Sequence, residues 1–324
     1  MWDTTPWFVG GGAQHSPEVA RLLAYAATGG VEGIISPGDL KVAPLAVPGS
    51  KVRVLAGAGI IRSRAAGGAQ QSYVARNVSE DVVDIAATGS GSGRSDLIVA
   101  QVEDPFMAGE PYADPADPKV GPYIYTRVIP NVAPGTTAAP SGSTAIALAR
   151  IDIPANTGTI TAGMIKDLRK IAQPRRERQV RIWRPSDTAT LGPSTGGQTP
   201  WTWLPRTNEL IPCPEWATQV KLIVSIANIL HIGDLTGGIR AEYGWNGSGE
   251  LYAPVAGLHH EDTTVGARTR TTVIAGGELT IPAGFRGKSH YVRTGSQLNP
   301  STGRITVDQW TTVTVDLEFV EVAE

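Results

Sequence analysis

The sequence predicts a mainly β fold, in two β-sandwich or barrel-like domains with one short helix near the N-terminus. Three observations predict it. Turn formers are dense, with Gly 38 and Pro 24 among 324 residues. Short runs rich in Val, Ile and Thr recur between those turns, several alternating apolar with polar. Only one stretch carries a complete set of helix signals, and the length suits two domains of roughly 100–200 residues each.

Residues 1–15 read as an aromatic arm. Trp2, Trp7 and Phe8 precede Gly10-Gly11-Gly12, and large apolar groups beside a glycine run do not resemble a core element. Either they fold back on their own domain or they plug into another subunit; they are assigned here to subunit attachment. The helix follows. Ser16 is an N-cap, Pro17 takes the first helical position and Glu18 suits the helix dipole. Val19, Leu22, Leu23 and Ala26 share one face, expected to lie on a sheet, and Gly29-Gly30 stops the helix.

Strands are expected at residues 31–35, 40–47, 51–55, 59–64, 71–77, 82–86, 97–103, 123–129 and 145–153. Gly89–Gly93 reads as a hairpin tip, residues 104–122 as a long surface loop, and residues 164–171 as a short helix or turn. Pro174-Arg175-Arg176-Glu177-Arg178 reads as a charged joint. The expected division is thus 1–15 arm, 16–174 N-terminal attachment domain, 175–179 linker and 180–324 C-terminal sandwich of jelly-roll-like type. In that last part Val220, Leu222, Val224 and Ile226 alternate, as do Val313, Val315, Leu317 and Phe319.

The formal net charge is −2, and each side of Pro174 carries 14 basic and 15 acidic residues. No basic domain points to nucleic acid or to a membrane surface. Cys213 is the only cysteine, so no internal disulfide is possible. The N-terminus lacks the basic and apolar regions of a secretory signal, and no apolar run approaches membrane-span length, so assembly in a cytoplasm is expected.

Motifs for chemistry are sparse. Gly89–Gly93 has glycine where a nucleophile elbow needs serine, and Gly57-Ala58-Gly59 lacks the third glycine of a dinucleotide loop. No catalytic residue, cofactor or metal is assigned, and the chain is expected not to be an enzyme. His259-His260-Glu261-Asp262 is a contiguous set of ligand-type residues, read as a polar loop able to hydrogen-bond a glycan. Strand neighbours face opposite ways, so only His259 with Glu261, or His260 with Asp262, would share a face. His231 or His290 would have to join them in space to make a metal site.

Six of the eight tryptophans lie beyond residue 180. Trp201 and Trp203 fall on one face of a strand, and Trp245 sits beside Asn246-Gly247-Ser248-Gly249. They either fill a sandwich core or stack on sugar rings. The candidate glycan-binding residues are Trp201, Trp203, Trp245, His259, His260 and Asp262.

Residues 25–175 resemble the N-terminal domain of minor tail proteins from long-tailed phages that infect actinobacteria. The stretches that carry the likeness are Val31–Val42 with Ser36-Pro37-Gly38-Asp39-Leu40, Val52–Ile61, Gln71–Asn77, Ser95–Val102, Ala147–Ile151 and Ile165–Arg169, in the family's order. Ile211-Pro212-Cys213-Pro214-Glu215-Trp216 is the nearest match in the C-terminal part. The resemblance implies a tail-tip or baseplate component of the virion, bound to other phage tail proteins, often trimeric, with an N-terminal attachment domain and a distal β-sandwich. The aromatics and polar loops of the C-terminal part are what point to host cell-wall glycan as its contact. Two other readings stay open: a tail-displayed cell-wall hydrolase or esterase, and a structural hub without receptor contact.

Overall fold

The computed structural model describes residues 16–109, 119, 121–191, 201–204, 210–244, 249–261, 268–299 and 303–324, with backbone alone for Leu191, Thr202 and Trp203. The protein is mainly β, and its chain divides into two compact units. One holds residues up to Gln173 together with Ala323–Glu324, the other Pro174–Val322.

In the first unit, α1 (Pro17–Thr28) precedes β1 (Gly33–Ile34), β2 (Val42–Pro44), β3 (Lys51–Val54), β4 (Gly57–Arg62) and β5 (Ser72–Asn77). Then come β6 (Asp81–Asp84), β7 (Arg94–Val102), β8 (Ile124–Val132), β9 (Ala145–Ile153) and β10 (Ile165–Asp167). These strands form antiparallel sheets ordered β1-β4-β5, β2-β3-β6 and β10-β9-β7-β8. Ile34, Val52, Ile61, Ile98, Leu148 and Ile151 bring all three sheets into one core. The wholly buried Arg169 side chain donates to the carbonyls of Pro37, Asp39 and Glu324 and pairs with Asp167. It thereby satisfies backbone acceptors from two distant stretches of this unit.

The helix caps are those read from the sequence. Ser16 Oγ accepts from the Val19 amide, and Gly29 closes the helix at φ 60°. Its packing differs from expectation, because Leu22 and Leu23 are both exposed and no helix residue is buried. The attachment is polar instead: Arg21 donates to Gln71 Oε1 at 2.6 Å and lies over the Tyr73 ring on β5. Two loop expectations are also corrected. Gly89–Gly93 joins strands of different sheets and so is not a hairpin tip. Residues 164–171 hold the end of a 3-10 turn (Ala162–Met164) and β10, which pairs with β9.

The second unit contains β11 (Arg176–Trp183), β12 (Ala189–Leu191), β13 (Thr202–Trp203), β14 (Ile211–Pro212), β15 (Gln219–Ile232) and β16 (Leu235–Gly244). It continues with β17 (Glu250–Tyr252), β18 (Ala256–His260), β19 (Arg268–Thr280), β20 (Ser289–Leu298), β21 (Arg304–Val307) and β22 (Thr312–Val320). Four pairs act as single interrupted strands: β11 with β12, β13 with β14, β17 with β18, and β21 with β22. Each pair runs in succession beside the same neighbouring strand or strands. Among the described residues eight strand positions result, in sheets ordered 1-8-3-6 and 2-7-4-5. That is the strand order of a jelly roll.

Val220, Leu222, Val224 and Ile226 from β15 meet Ile239, Ala241 and Tyr243 from β16 and Val313, Val315, Leu317 and Phe319 from β22 in one core. The inward alternation of β15 breaks between Ile226 and Ile229, where the register shifts and Asn228 adopts φ 59°. This is a bulge, which resets which side chains face the core.

The expected linker at residues 175–179 is corrected here. Arg176–Gln179 open β11 and pair with Leu317–Val320. Their charges are matched across the strands, Arg178 with Asp316 at 2.5 Å and Arg176 with Glu318 at 3.4 Å. A charge run that looks like a solvated joint is therefore the solvent-facing row of a strand pair.

Candidate functional site

Along β16, Ile239, Ala241 and Tyr243 point into the jelly-roll core, so alternation puts Gly238, Arg240 and Glu242 on the sheet's other face. The Arg240 guanidinium lies between two aromatic rings, 4.1 Å from the centroid of Trp201 and 3.9 Å from that of Tyr252. A planar guanidinium stacks well on such rings, and each contact is worth about 0.5–2 kcal/mol. Gly238 lets this layer sit close to the strand. A Cβ there would fall 2.5 Å from Val255 Cγ1 and 3.8 Å from Trp201 Cη2.

Ionised groups continue the layer. Arg293 on β20 is the register partner of Glu242. It donates from Nε to Glu242 Oε2 and from Nη2 to Glu250 Oε1, both at 2.8 Å. The Tyr252 hydroxyl donates to Glu250 Oε2. Glu242 is fully buried, and that burial raises its carboxyl pKa while Arg293 pulls it back. The bond to Glu250 holds the Tyr252 hydroxyl above its ordinary value. This face thus offers aromatic rings fixed by a guanidinium beside a carboxylate network, a surface suited to stacking and hydrogen bonding. Both carboxylates are committed to Arg293, and no nucleophile stands among these residues.

Of the residues singled out in the sequence, Trp201 belongs to this layer. It is half-buried, outside the jelly-roll core cluster, against Arg240. Trp203 pairs through its backbone with Gly295; its side chain, like Trp245 and Asp262, lies outside the described residues. The arm residues Trp2, Trp7 and Phe8 lie outside them too.

His259 and His260 are corrected from loop to strand, since they end β18, paired with Thr236 and Leu235. They diverge as strand neighbours must. His259 is exposed, with Nε2 3.2 Å from Glu261 Oε1. His260 turns toward His231 on β15, ring centroids 5.0 Å apart. His231 is buried and bonds Thr271 Oγ1 at 2.7 Å; burial, then the neighbouring His260, lowers its pKa to about 4. His290 does not join them, being stacked on Phe285 at 4.5 Å. Among the described residues no three His, Cys, Asp or Glu side chains converge as metal ligands.

Sequence reasoning missed Arg240, Glu242, Glu250, Tyr252 and Arg293. The signal was present for two of them, because the alternation of Ile239, Ala241 and Tyr243 leaves Arg240 and Glu242 on the opposite face. The pairing that brings Glu250, Tyr252 and Arg293 beside them is long-range and has no local signature.

No protein-family model matches the chain, and no curated protein matches it. Among solved structures it is similar to the VP2 subviral particle of infectious bursal disease virus, at 9% identity over 90% of this chain and 75% of that one, with a TM-score of 0.27. The Gx strain of the same virus matches at 10% identity over 91% and 83%, TM-score 0.26. The T13 particle of that virus matches at 11% identity over 90% and 70%, TM-score 0.28. Scores this low do not establish a shared fold, and the jelly-roll assignment rests on strand order alone.

Proposed function

We propose that this chain is a structural, non-enzymatic protein of a virus particle, specifically a minor tail protein at a phage tail tip. In this reading the first unit attaches to other tail proteins and the jelly roll contacts host cell-wall glycan. The observation that carries it is a jelly-roll strand order bearing the Trp201–Arg240–Tyr252 layer on one sheet. Viral capsid and lectin domains share that architecture. The sequence resemblance of residues 25–175 supports the tail assignment.

A homo-oligomer, a trimer by the same resemblance, fits the opposite sheet. There Val180, Ile182, Ile223 and Ile274 are exposed in two adjacent cross-strand rows. Asp316, Thr314 and Ser225 stand between them in those rows, so a subunit contact here would be mixed apolar and polar. A glycan hydrolase is the weaker reading, because Glu242 is buried and shares Arg293 with Glu250. A general acid or base needs access to the glycosidic bond.

The test is Trp201→Ala in the full chain, measured for binding to purified host cell-wall glycan beside thermal unfolding. The expected result is binding weakened about tenfold or more, equivalent to about 1.4 kcal/mol, with the unfolding midpoint lowered by only a few degrees. Unchanged binding by a folded variant overturns the assignment of this face.

A further inference from the structure

A second feature of the jelly roll is not used by that reading. Trp310 is 65% exposed, the most exposed aromatic side chain of this unit among the described residues. It stands on the turn between β21 and β22, and the turn is tied down at several points. The Trp310 amide donates to Asp308 Oδ1 at 2.9 Å, and the Asp308 amide donates to Thr311 Oγ1 at 3.0 Å. Arg270 grips the Asp308 carboxylate at 2.6 Å and the carbonyl of Asn228 at 2.7 Å, anchoring the turn to the β15 bulge. That bond to Arg270 holds the Asp308 carboxyl below its ordinary range. A large apolar ring is therefore presented to solvent on a rigid support, which limits the ordering lost when a ligand stacks on it.

Beside the ring is an open groove of about 690 Å³, within the roughly 300–1,000 Å³ of small-ligand sites. Its floor includes Leu230 and Ile232, which the bulge turns away from the core, and the bonded hydroxyls of Thr190 and Thr306 at 3.0 Å. Arg268 and Arg304 line its walls, both exposed, and neither forms an ion pair among the described residues. Asp308, the acidic group lining the groove, is already neutralised by Arg270. Among the described residues, the groove thus holds two guanidinium groups outside any ion pair, in a chain of formal net charge −2.

We propose that this groove binds an anionic saccharide. Trp310 stacks on a sugar ring, Arg268 and Arg304 pair with its carboxylate or phosphate, and the threonine hydroxyls reach its hydroxyl groups. Guanidinium groups favour such oxyanions because their donors match them in pairs. The inference rests on the glycan-binding reading of the jelly roll but not on the Trp201 face, and the two sites have separate residues.

The test is isothermal titration of the full chain with three probes of equal length: a uronic-acid oligosaccharide, a phosphorylated oligosaccharide and a neutral oligosaccharide. One anionic probe should bind at least about tenfold more tightly than the neutral one and weaken as salt is raised. Which of the two binds assigns carboxylate or phosphate. Trp310→Ala, and separately Arg268→Gln with Arg304→Gln, should each weaken that binding about tenfold or more. All three side chains are exposed, so the variants should unfold within a few degrees of the parent. Saccharide binding that survives in both the Trp310 and the Arg268/Arg304 variants belongs to the Trp201 face, which separates failure of this site from failure of the other. Three results overturn the proposal: no binding of either anionic probe, equal binding by the double Gln variant, or loss of an oligomer on Trp310→Ala without any saccharide binding. The last would make the groove a subunit contact.

Discussion

Arg293→Met removes the cation bonded to both Glu242 and Glu250 while keeping most of the side-chain volume. Glu242 has no solvent exposure, so it would be left as a buried carboxylate without its partner. Breaking a buried pair this way costs about 3–5 kcal/mol. In a unit of this length each kcal/mol lowers the midpoint by roughly 2–4 °C, which gives a fall of roughly 6–20 °C.

The loss has a defined pH dependence. Burial already holds the folded-state pKa of Glu242 above its ordinary value. The folded unit therefore binds that proton more tightly than the unfolded chain does. The resulting stability is fully present below the ordinary carboxylate range and is lost as pH rises through the folded pKa. Without Arg293 the folded pKa rises further, so the deficit should be largest near pH 7 and shrink toward pH 4. Urea unfolding of the full chain at several pH values measures it, followed by tryptophan fluorescence. Glu242→Gln added to Arg293→Met should recover most of the loss at pH 7, since no charge remains to be buried. A variant as stable as the parent at pH 7, or a deficit that grows on acidification, would refute the reasoning.

Arg169→Met tests the first unit in the same manner. It leaves the Asp39 carbonyl without its guanidinium donor and removes one of the two donors to the Pro37 carbonyl, which keeps the Glu324 amide; an unmet buried acceptor costs about 1–3 kcal/mol. A first-unit unfolding transition lowered by roughly 2–12 °C is expected in calorimetry, with the jelly-roll transition unmoved; equal shifts in both would contradict it.

Local signals explain what was legible in the sequence. Ser16, Pro17 and Gly29 act through their own backbone neighbours, so the helix and its caps could be read directly. Alternation along residues 220–226 and 313–319 reflects one buried face, and the same residues line the jelly-roll core. The helix packing was not legible, because Arg21 reaches Gln71 and Asp104, which are remote in sequence. The strand at Arg176–Trp183 was masked by its charges, whose partners Asp316 and Glu318 lie at the far end of the chain. Its inward members, Gln179 and Trp183, carry the alternation that a count of charges hides.

The histidine cluster shows the same limit. Alternation correctly separated His259 from His260, but strand pairing with Leu235 and Thr236 placed the two residues in a sheet. Trp310 went unremarked because it adjoins a strongly alternating strand. The local signal was there, since Asp308 and Thr311 flank it at the spacing of a side-chain-capped turn.

Whether this chain is a component of a phage tail is tested most directly by electron microscopy of purified particles labelled with antibody against the full chain. The expected result is gold label confined to one end of the tail, lost when residues 1–12 are deleted from a protein that still folds. Particles without label, with the protein recovered only in the soluble fraction of the lysate, would contradict it.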